Sequence, residues 1–563
     1  MSPELRRRVA QLLVVRASGH LSDGQRRYPR WELRNAELQQ LLAQGVGGVI
    51  LLGGSAAELR LRTLQLQAWS PAPLLLCADV EEGVGQRFEG ASWLVPPLAL
   101  AGLHHRDPAA ALELAERYGR CTGREARALG LNWVLGPVCD VNNNPANPVI
   151  NVRAWGEDPA TAGSLACAFL RGAQAEGVLC CAKHFPGHGD TATDSHLDLP
   201  LLEHSRERLE AIELPPFREA IASGVASVMT AHLLLPSLDA ERPATLSKAV
   251  LTDLLRRDLG FDGLVVTDAL VMEAIAGRYG AGEAAVLALE AGADLVLMPA
   301  DAEAAIEAIV AAVQSGRLSE ERLQESLERR SRALNALPPP AEADPDAGFT
   351  PLGPLRNGPL PEDRQLAVEL VRRSLEVQSP ASMPLAPGDG GLNLIRLDHP
   401  LASPFLMASA PALSRPSAAG LKPCLITPQA PSPWRNDAEA PLDLARLGEG
   451  PVVLQLFVRG NPFRGSAGGG EEPWEAAIRQ LQNLGRLAGL AIYGSPYLWR
   501  RLRTLVAPGI PAACSPGQMP LAQEAVLAAL GLGPAPSLPG DPSGEAACGS
   551  GAGRDGQRTG FTD

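Results

Sequence analysis

The sequence predicts an α/β protein in which a (β/α)8 barrel is followed by a second α/β domain. Three features predict this fold: eight short apolar runs alternate with helical stretches up to residue 335, a proline-rich segment interrupts the pattern, and a second alternation follows. Strands that alternate with helices pair in parallel through right-handed crossovers. Eight such units in about 330 residues are within the usual size of this barrel.

The eight barrel strands are predicted from runs rich in aliphatic and β-branched residues. These runs are Leu12–Val15, Gly48–Leu52, Leu74–Cys77, Asn132–Leu135, Val178–Ala182, Ala226–Met229, Leu264–Thr267 and Leu295–Met298. The helical stretches between them include Ala109–Leu129, Thr161–Glu176, Glu207–Ser223, Ala281–Ala291 and Ala302–Gln314. A doubly wound open sheet is the alternative, but the glycine-rich phosphate-binding turn expected after its first strand is missing. The barrel is therefore favoured.

Composition divides the chain into four segments. Residues 1–336 form the predicted catalytic barrel, 337–361 a proline-rich linker, 362–532 a second α/β domain, and 533–563 a tail with few apolar residues that we expect to be disordered. Strands are predicted in the second domain at Leu392–Leu397, Pro423–Ile426, Val452–Val458 and Gly489–Tyr493, and helices at Glu362–Val377, Glu471–Leu487 and Pro520–Leu530. We expect parallel packing in this domain as well.

Overall charge and cysteine usage exclude several classes of protein. The 563 residues are 45% hydrophobic and carry a net charge of −13, which argues against a nucleic-acid-binding surface. The nine cysteines include no C-x-x-C pair, which suggests buried thiols in a reducing compartment. Because Val9–Val15 is short for a secretory segment and no run of about 18 apolar residues occurs, we expect a cytoplasmic protein without a membrane span. Nothing in the sequence indicates the oligomeric state.

Charged and polar residues follow the predicted strands at their carboxyl ends, where the active sites of barrel enzymes form. These residues are Asp79 and Arg87 after the third strand, Asp140 and Arg153 after the fourth, Lys183 and His184 after the fifth, His232 after the sixth and Asp268 after the seventh. Carboxylates and cationic donors concentrated on one face favour a polar ligand that is bound by many hydrogen bonds. A sugar fits this description.

The stretch from Lys183 to His196 contains three of the nine histidines, and Pro186 with two glycines predicts a loop. Its histidines could bind zinc, but their spacing lies on a loop rather than on one face of a helix, and we predict no metal site. Asp194, Ser195 and His196 are the residue types of a serine hydrolase, yet adjacent residues cannot adopt triad geometry and no G-x-S-x-G motif precedes them. Asp268 could also be the N-cap of the next helix.

Taken together, these segments resemble the β-N-acetylglucosaminidase branch of glycoside hydrolase family 3. The resemblance rests on Lys183–Gly189 with Thr191 and the triplet 194–196, on Val265–Leu270 with Met272, and on Asn147–Ile150 with Arg153, Gly156, Asp158 and Pro159. It covers residues 5–335. The second half of the chain is similar in placement to the α/β sandwich domain that longer members of this family carry.

The resemblance implies specific roles. A retaining glycosidase needs a nucleophile and a proton donor; here Asp268 would form the glycosyl-enzyme and His196, paired with Asp194, would be the general acid/base. The implied sugar-binding residues are Asp79, Arg87, Arg153, Lys183 and His184. No cofactor is implied.

One loop departs from the family pattern. Asp-x-Glu-Gly-Gly-Arg is usual after the third strand, whereas Asp79-Val80-Glu81-Glu82-Gly83-Val84 stands here, so that one glycine and the arginine are replaced. We expect a β-N-acetylhexosaminidase that acts on small or oligomeric substrates with terminal N-acetylglucosamine, with a role in peptidoglycan-fragment recycling. The alternatives are a β-glucosidase or β-xylosidase of the same family, an N-acetylglucosaminide phosphorylase, and a carbohydrate-binding protein without catalysis.

Overall fold

The computed structural model describes residues 3–191, 198–339, 358–379, 390–397, 405–427, 433–459 and 472–536. Its first part is a barrel of eight parallel strands. They are β1 (Leu13–Ser18), β2 (Gly48–Leu52), β3 (Leu75–Ala78), β4 (Trp133–Val134), β5 (Leu179–Phe185), β6 (Ser227–Thr230), β7 (Leu264–Val266) and β8 (Val296–Leu297). Each strand pairs with the next in sequence from β1 to β7 and β1 also pairs with β8, while a bridge between Val266 and Leu295 joins the remaining edges. The predicted barrel is confirmed.

The fifth strand is longer than predicted and includes two of the candidate site residues. Lys183 and His184 lie within β5 rather than in the loop after it, because the backbone of Lys183 pairs with the segment that follows β4. The Cys139 N–H donates to the Lys183 carbonyl over 2.6 Å, and the Lys183 N–H donates to the Pro137 carbonyl over 3.2 Å. A charged residue at the end of an apolar run is typical of the start of a loop. Here the strand continues, because the side chains of Lys183 and His184 are buried together with their partners.

Helices surround the barrel. They are α1 (Pro3–Ala10), α2 (Asn35–Ala43), α3 (Ala56–Trp69), α4 (Ala99–His104), α5 (Pro108–Ala128), α6 (Pro159–Ala175), α7 (Arg206–Arg208), α8 (Pro215–Ala222), α9 (Glu273–Tyr279), α10 (Ala281–Ala291), α11 (Ala302–Gln314) and α12 (Glu320–Asn335), with π-helical segments at Leu209–Glu213 and Ala249–Asp258. The single helix predicted for 207–223 is wrong, because Pro215 and Pro216 supply no N–H donors and divide it.

Helices α5 and α6 begin with the same local signal and pack closely. Asp107 and Asp158 each accept a hydrogen bond from the third helical N–H, and a proline follows each of them. A Cβ atom at Gly119 would lie 2.0 Å from the carbonyl oxygen of Phe169, so glycine is required where the two helices approach. This contact sets the distance between the two helices that connect β3 to β4 and β4 to β5.

The second domain contains a mixed six-stranded sheet. Its strands are β9 (Glu376–Ser379), β10 (Leu392–Arg396), β11 (Lys422–Ile426), β12 (Val452–Val458), β13 (Leu487–Gly494) and β14 (Ala512–Ser515), in the order β11-β10-β12-β13-β14-β9. Its helices are α13 (Pro361–Ser374), α14 (Pro411–Ala418), α15 (Leu444–Leu447), α16 (Trp474–Asn483), α17 (Pro496–Leu502) and α18 (Pro520–Ala529). All its strand pairs are parallel except β14–β9.

The sequence missed β9 and β14, and the expectation of parallel packing is wrong for β9. The helix predicted to reach Val377 ends at Ser374, and the chain then pairs antiparallel with β14. The helical periodicity continues past Ser374 without glycine or proline, so only pairing with a strand distant in sequence distinguishes the two structures. Most of the predicted linker and nearly all of the predicted tail lie outside the described residues.

An apolar core joins the two parts of the chain. Leu366 and Leu370 of α13 and Met519 and Ala522 around α18 belong to the same buried cluster as the barrel. Helix α13 packs against α4 and α5. Within the described ranges, none of the helices has the length and apolarity that a membrane crossing needs.

Candidate active site

The candidate residues lie at one end of the barrel. Asp79 directly follows β3, Lys183 and His184 lie near the end of β5, and His232 and Asp268 are two residues beyond β6 and β7. Since parallel strands present their carboxyl ends on the same rim, the fold brings these five residues to one mouth.

A chain of alternating charges, buried except at Asp79, forms one side of this mouth. The Lys183 Nζ lies 2.6 Å from Asp79 Oδ1 and 2.7 Å from Glu81 Oε1, and its side chain is 1% exposed. Arg153 donates to both oxygens of Glu81, from Nε and from Nη2, over 2.8 Å each. Two cations and two carboxylates balance one another, which is the condition under which buried charges are tolerated.

These partners keep the buried groups charged. Burial alone would raise the pKa of Glu81, but Arg153 and Lys183 outweigh it and hold that pKa well below its ordinary value. Burial would lower the pKa of Lys183, yet Asp79 and Glu81 raise it overall, and the pKa of Arg153 is raised for the same reason. The mouth therefore presents fixed charges across the neutral range, suited to charge-assisted hydrogen bonds with a polar ligand.

The sequence missed Glu81, although this residue connects Lys183 to Arg153. A signal was present, because Glu81 is the glutamate of the quoted Asp-x-Glu motif. Arg87 donates from its Nε to the backbone carbonyl of Asp79 over 2.9 Å, which supports the strand-three loop, and its role in sugar binding stays a prediction.

A second buried cluster orients His184. The His184 Nδ1 lies 2.7 Å from Asp140 Oδ2, and the Asp140 Oδ1 accepts the backbone N–H groups of His184 and His188 over 3.1 and 2.7 Å. Burial would raise the pKa of Asp140, but the two histidines lower it below its ordinary value. An ionised Asp140 fixes the imidazole of His184 with its Nδ1 proton toward the carboxylate.

The start of the histidine loop is held by Asn147. Its Nδ2 donates to the carbonyl oxygens of His188 and Gly189 over 2.9 Å, and its Oδ1 accepts from the N–H groups of Val149 and Ile150 over 2.8 Å. The backbone that leads into the predicted proton-transfer segment is thereby attached to the strand-four loop. Asp194 and His196 themselves lie outside the described residues.

Hydrogen bonds of backbone groups hold the segment that carries Asp268. The Asp268 N–H donates to Thr230 Oγ1 over 3.3 Å, and the Ala269 N–H donates to Asp268 Oδ1 over 2.7 Å. His232 Nε2 lies 3.1 Å from the Ala269 carbonyl. The N-cap alternative for Asp268 is wrong, because α9 begins only at Glu273 and its N-cap position is Met272.

The buried imidazole of His188 predicts a pH dependence of stability. Burial lowers its pKa to about 4, against about 6.5 for an unperturbed histidine. Between these values the unfolded chain binds a proton that the folded chain does not, so the free energy of unfolding should fall by up to about 3 kcal/mol as the pH drops from 6.5 to 4. We expect the melting temperature of His188→Gln to fall less over this range than that of the wild type.

Thermal unfolding followed by circular dichroism at half-unit pH steps measures this difference. His105→Gln removes an exposed histidine at the end of α4 and should keep the wild-type pH profile. Parallel profiles for all three proteins would contradict the assignment to His188.

Two family models match the chain, and together they cover both parts of it. Residues 4–333 match the Glycosyl hydrolase family 3 N terminal domain, and residues 385–531 match the Bacterial Glycosyl hydrolase family 3 C-terminal domain. Among solved structures, the glycoside hydrolase family 3 β-N-acetylglucosaminidase from Paenibacillus sp. str. FPU-7 superposes with a TM-score of 0.72 at 29% identity, over 94% of this chain and 97% of that one. A β-glucoside phosphorylase with a TM-score of 0.72 and 20% identity shares the fold.

Curated relatives match about half to two thirds of the chain. Beta-hexosaminidase A of Pseudoalteromonas piscicida is 33% identical over 396 residues, which are 64% of this chain and 64% of that protein. A Cellulomonas fimi protein named Beta-N-acetylglucosaminidase/beta-glucosidase is 34% identical over 50% of this chain and 51% of its own length, and the Beta-hexosaminidase of Neisseria meningitidis serogroup C strain 053442 is 38% identical over 48% and 75%. The chain thus spans about half to two thirds of the length of the first two relatives.

The family models, the shared two-part architecture and the rim of site residues lead to one conclusion: the chain belongs to glycoside hydrolase family 3.

Proposed function

We propose that this protein is a retaining β-N-acetylhexosaminidase that releases terminal β-linked N-acetylglucosamine from glycosides. The observation that carries the proposal is the rim on which Asp268 stands together with the charge-balanced group of Asp79, Lys183, Glu81 and Arg153. The names of the Pseudoalteromonas and Neisseria relatives and of the Paenibacillus structure support the same substrate class.

The sugar-binding part of the proposal follows from exposure and charge. Asp79 has a side chain that is 36% exposed, so one carboxylate can accept hydrogen bonds from sugar hydroxyls while it also pairs with Lys183. Arg153 and His184 are held at defined positions by Glu81 and Asp140. Hydrogen bonds from charged groups contribute about 1.5–3 kcal/mol each, so a few of them suffice to bind a monosaccharide unit.

The chemical steps are assigned to three residues. Asp268 attacks the anomeric carbon, and the bond to the leaving oxygen breaks as His196 gives that oxygen its proton. Water then attacks the glycosyl-enzyme, His196 takes the proton of the water, and the bond to Asp268 breaks. Asp194 pairs with the imidazole and raises its basicity. The roles of Asp194 and His196 rest on the sequence resemblance.

Four finer points stay predictions. The Cellulomonas fimi relative carries both activities in its name, which makes β-glucosides a second candidate substrate class. Phosphorolysis differs only in the acceptor, and a neutral or cationic imidazole allows an anionic phosphate to approach. A cytoplasmic location and peptidoglycan fragments as natural substrates are expectations from the sequence.

Asp268→Ala tests the nucleophile. We expect the activity on an aryl N-acetyl-β-glucosaminide to fall roughly 10³-fold or more, because no covalent intermediate can form. Added azide should restore turnover and yield the α-glycosyl azide, since the small anion occupies the position of the lost carboxylate. Rates by aryl absorbance and product configuration by NMR measure both effects.

The matched control is Asp253→Ala, which removes a half-exposed aspartate of the π-helical segment and should keep wild-type rates. Equal activity of Asp268→Ala and wild type would contradict the proposal, as would faster wild-type hydrolysis of the aryl β-glucoside. Formation of a sugar 1-phosphate in phosphate buffer would identify phosphorolysis.

His196→Ala tests the general acid. Its effect on glycosylation should be roughly 10²–10⁴-fold for a poor leaving group and far smaller for a dinitrophenolate, which departs without a proton. Pre-steady-state release of the two aglycones measures this step. A uniform loss across leaving groups would mean that His196 has a structural role.

A further inference from the structure

We propose that Arg459 and Tyr497 of the second domain are positioning residues for the sugar-binding rim of the barrel. Arg459 contacts Glu82, which directly follows Glu81, and Tyr497 contacts Asn142, which lies two residues after Asp140, the partner of His184. The inference extends the proposed function, on which its kinetic readout rests, and gives the second domain a role in substrate affinity.

The first contact is an ion pair between the domains. Arg459 directly follows β12, and its Nη2 lies 2.6 Å from Glu82 Oε1, with the two side chains 10% and 1% exposed. The other oxygen of Glu82 accepts the indole N–H of Trp93 over 3.0 Å. Glu82 directly follows Glu81 in the sequence. The position of the Glu82 side chain therefore fixes the backbone of Glu81, which pairs with Lys183 and Arg153.

The identity of residue 82 supports this inference. Glu82 stands where the family pattern quoted above has a glycine, and a glycine could not pair with Arg459. Without Arg459, a buried carboxylate adjacent in sequence to Glu81 would lack a cation and would compete for those of the rim. The departure of this loop from the pattern is therefore matched by a residue of the second domain.

The second contact supports the strand-four loop. The Tyr497 hydroxyl accepts a hydrogen bond from Asn142 Nδ2 over 2.7 Å, and Asn142 Oδ1 accepts the backbone N–H of Asn151 over 2.9 Å. Asn142 is two residues after Asp140, and Asn151 is two residues before Arg153. Asn142 thus joins the two ends of the loop between Asp140 and Arg153, and Tyr497 holds the side chain of Asn142 in place.

Docking of the second domain does not depend on these two contacts. The apolar core shared with α13 and α18 joins the domain to the barrel, and Arg117 pairs with Glu369 over 2.9 Å on the side of α5. Loss of Arg459 should accordingly change the rim more than it changes domain association. This distinction makes a positioning role testable.

The test compares Arg459→Met with Arg117→Met, which removes the part-exposed ion pair with Glu369 between the same domains. On an aryl N-acetyl-β-glucosaminide with the full chain, we expect KM of Arg459→Met to rise about tenfold with kcat within about threefold of wild type, since ground-state and transition-state binding weaken together. Arg459→Lys should recover part of the lost affinity, Tyr497→Phe should raise KM to a smaller extent, and Arg117→Met should leave KM unchanged.

A second readout is independent of activity. Hydrogen exchange of peptides that cover residues 79–87 should be faster in Arg459→Met than in wild type and unchanged in Arg117→Met. Glu82→Gln combined with Arg459→Met should raise KM by less than the product of the single effects, because the two residues act as a pair.

The outcomes separate the two proposals. An inactive wild type would contradict the proposed function, and the exchange of residues 79–87 would then test the positioning role alone. An active wild type with unchanged KM and exchange in Arg459→Met would overturn the positioning role and leave the proposed function intact. If Arg459→Met does not fold, Arg459→Lys and Tyr497→Phe are compared with Arg117→Met, and wild-type KM in both would overturn it.

Discussion

Lys183 carries its charge inside the barrel mouth, where an unpaired ammonium would be expensive to bury. Asp79 and Glu81 each lie within 2.7 Å of its Nζ, and Arg153 compensates the second carboxylate of the group. Since removal of one member leaves a buried charge without a partner, the loops after β3 and β4 and the end of β5 must occupy one arrangement. The geometry of this side of the mouth follows from that constraint.

Contacts from both domains stabilise this arrangement. The barrel supplies the charged residues of the mouth, and the close approach of α5 and α6 at Gly119 holds together the helices that follow β3 and β4. The second domain contributes Arg459 at Glu82 and Tyr497 at Asn142. Preorganised charged groups that need no rearrangement on binding suit the neutral sugar of the proposed function, whose own hydrogen bonds with water must be replaced.

Local patterns in the sequence predicted the barrel and most of its rim. Apolar runs and the polar residues that follow them are visible along the chain, which is why Asp79, Lys183 and Asp268 could be named. Glu81 stands in the quoted Asp-x-Glu motif, but its pairing with Lys183 and Arg153 was missed because those residues are distant in sequence and close only after folding. The antiparallel strand β9 and the partner of Glu82 escaped prediction for the same reason: each depends on pairing between segments that no local period indicates.

The dependence of the site on Glu81 can be measured directly with Glu81→Gln, which keeps the size of the side chain and removes its charge. Glu89→Gln changes an exposed glutamate of the same loop and is the matched control. We predict that kcat/KM on an aryl N-acetyl-β-glucosaminide falls roughly 10- to 100-fold in Glu81→Gln, equivalent to about 1.4–2.8 kcal/mol of transition-state binding, and is unchanged in Glu89→Gln. Wild-type kcat/KM in a folded Glu81→Gln would contradict the claim that the site depends on the charge of Glu81.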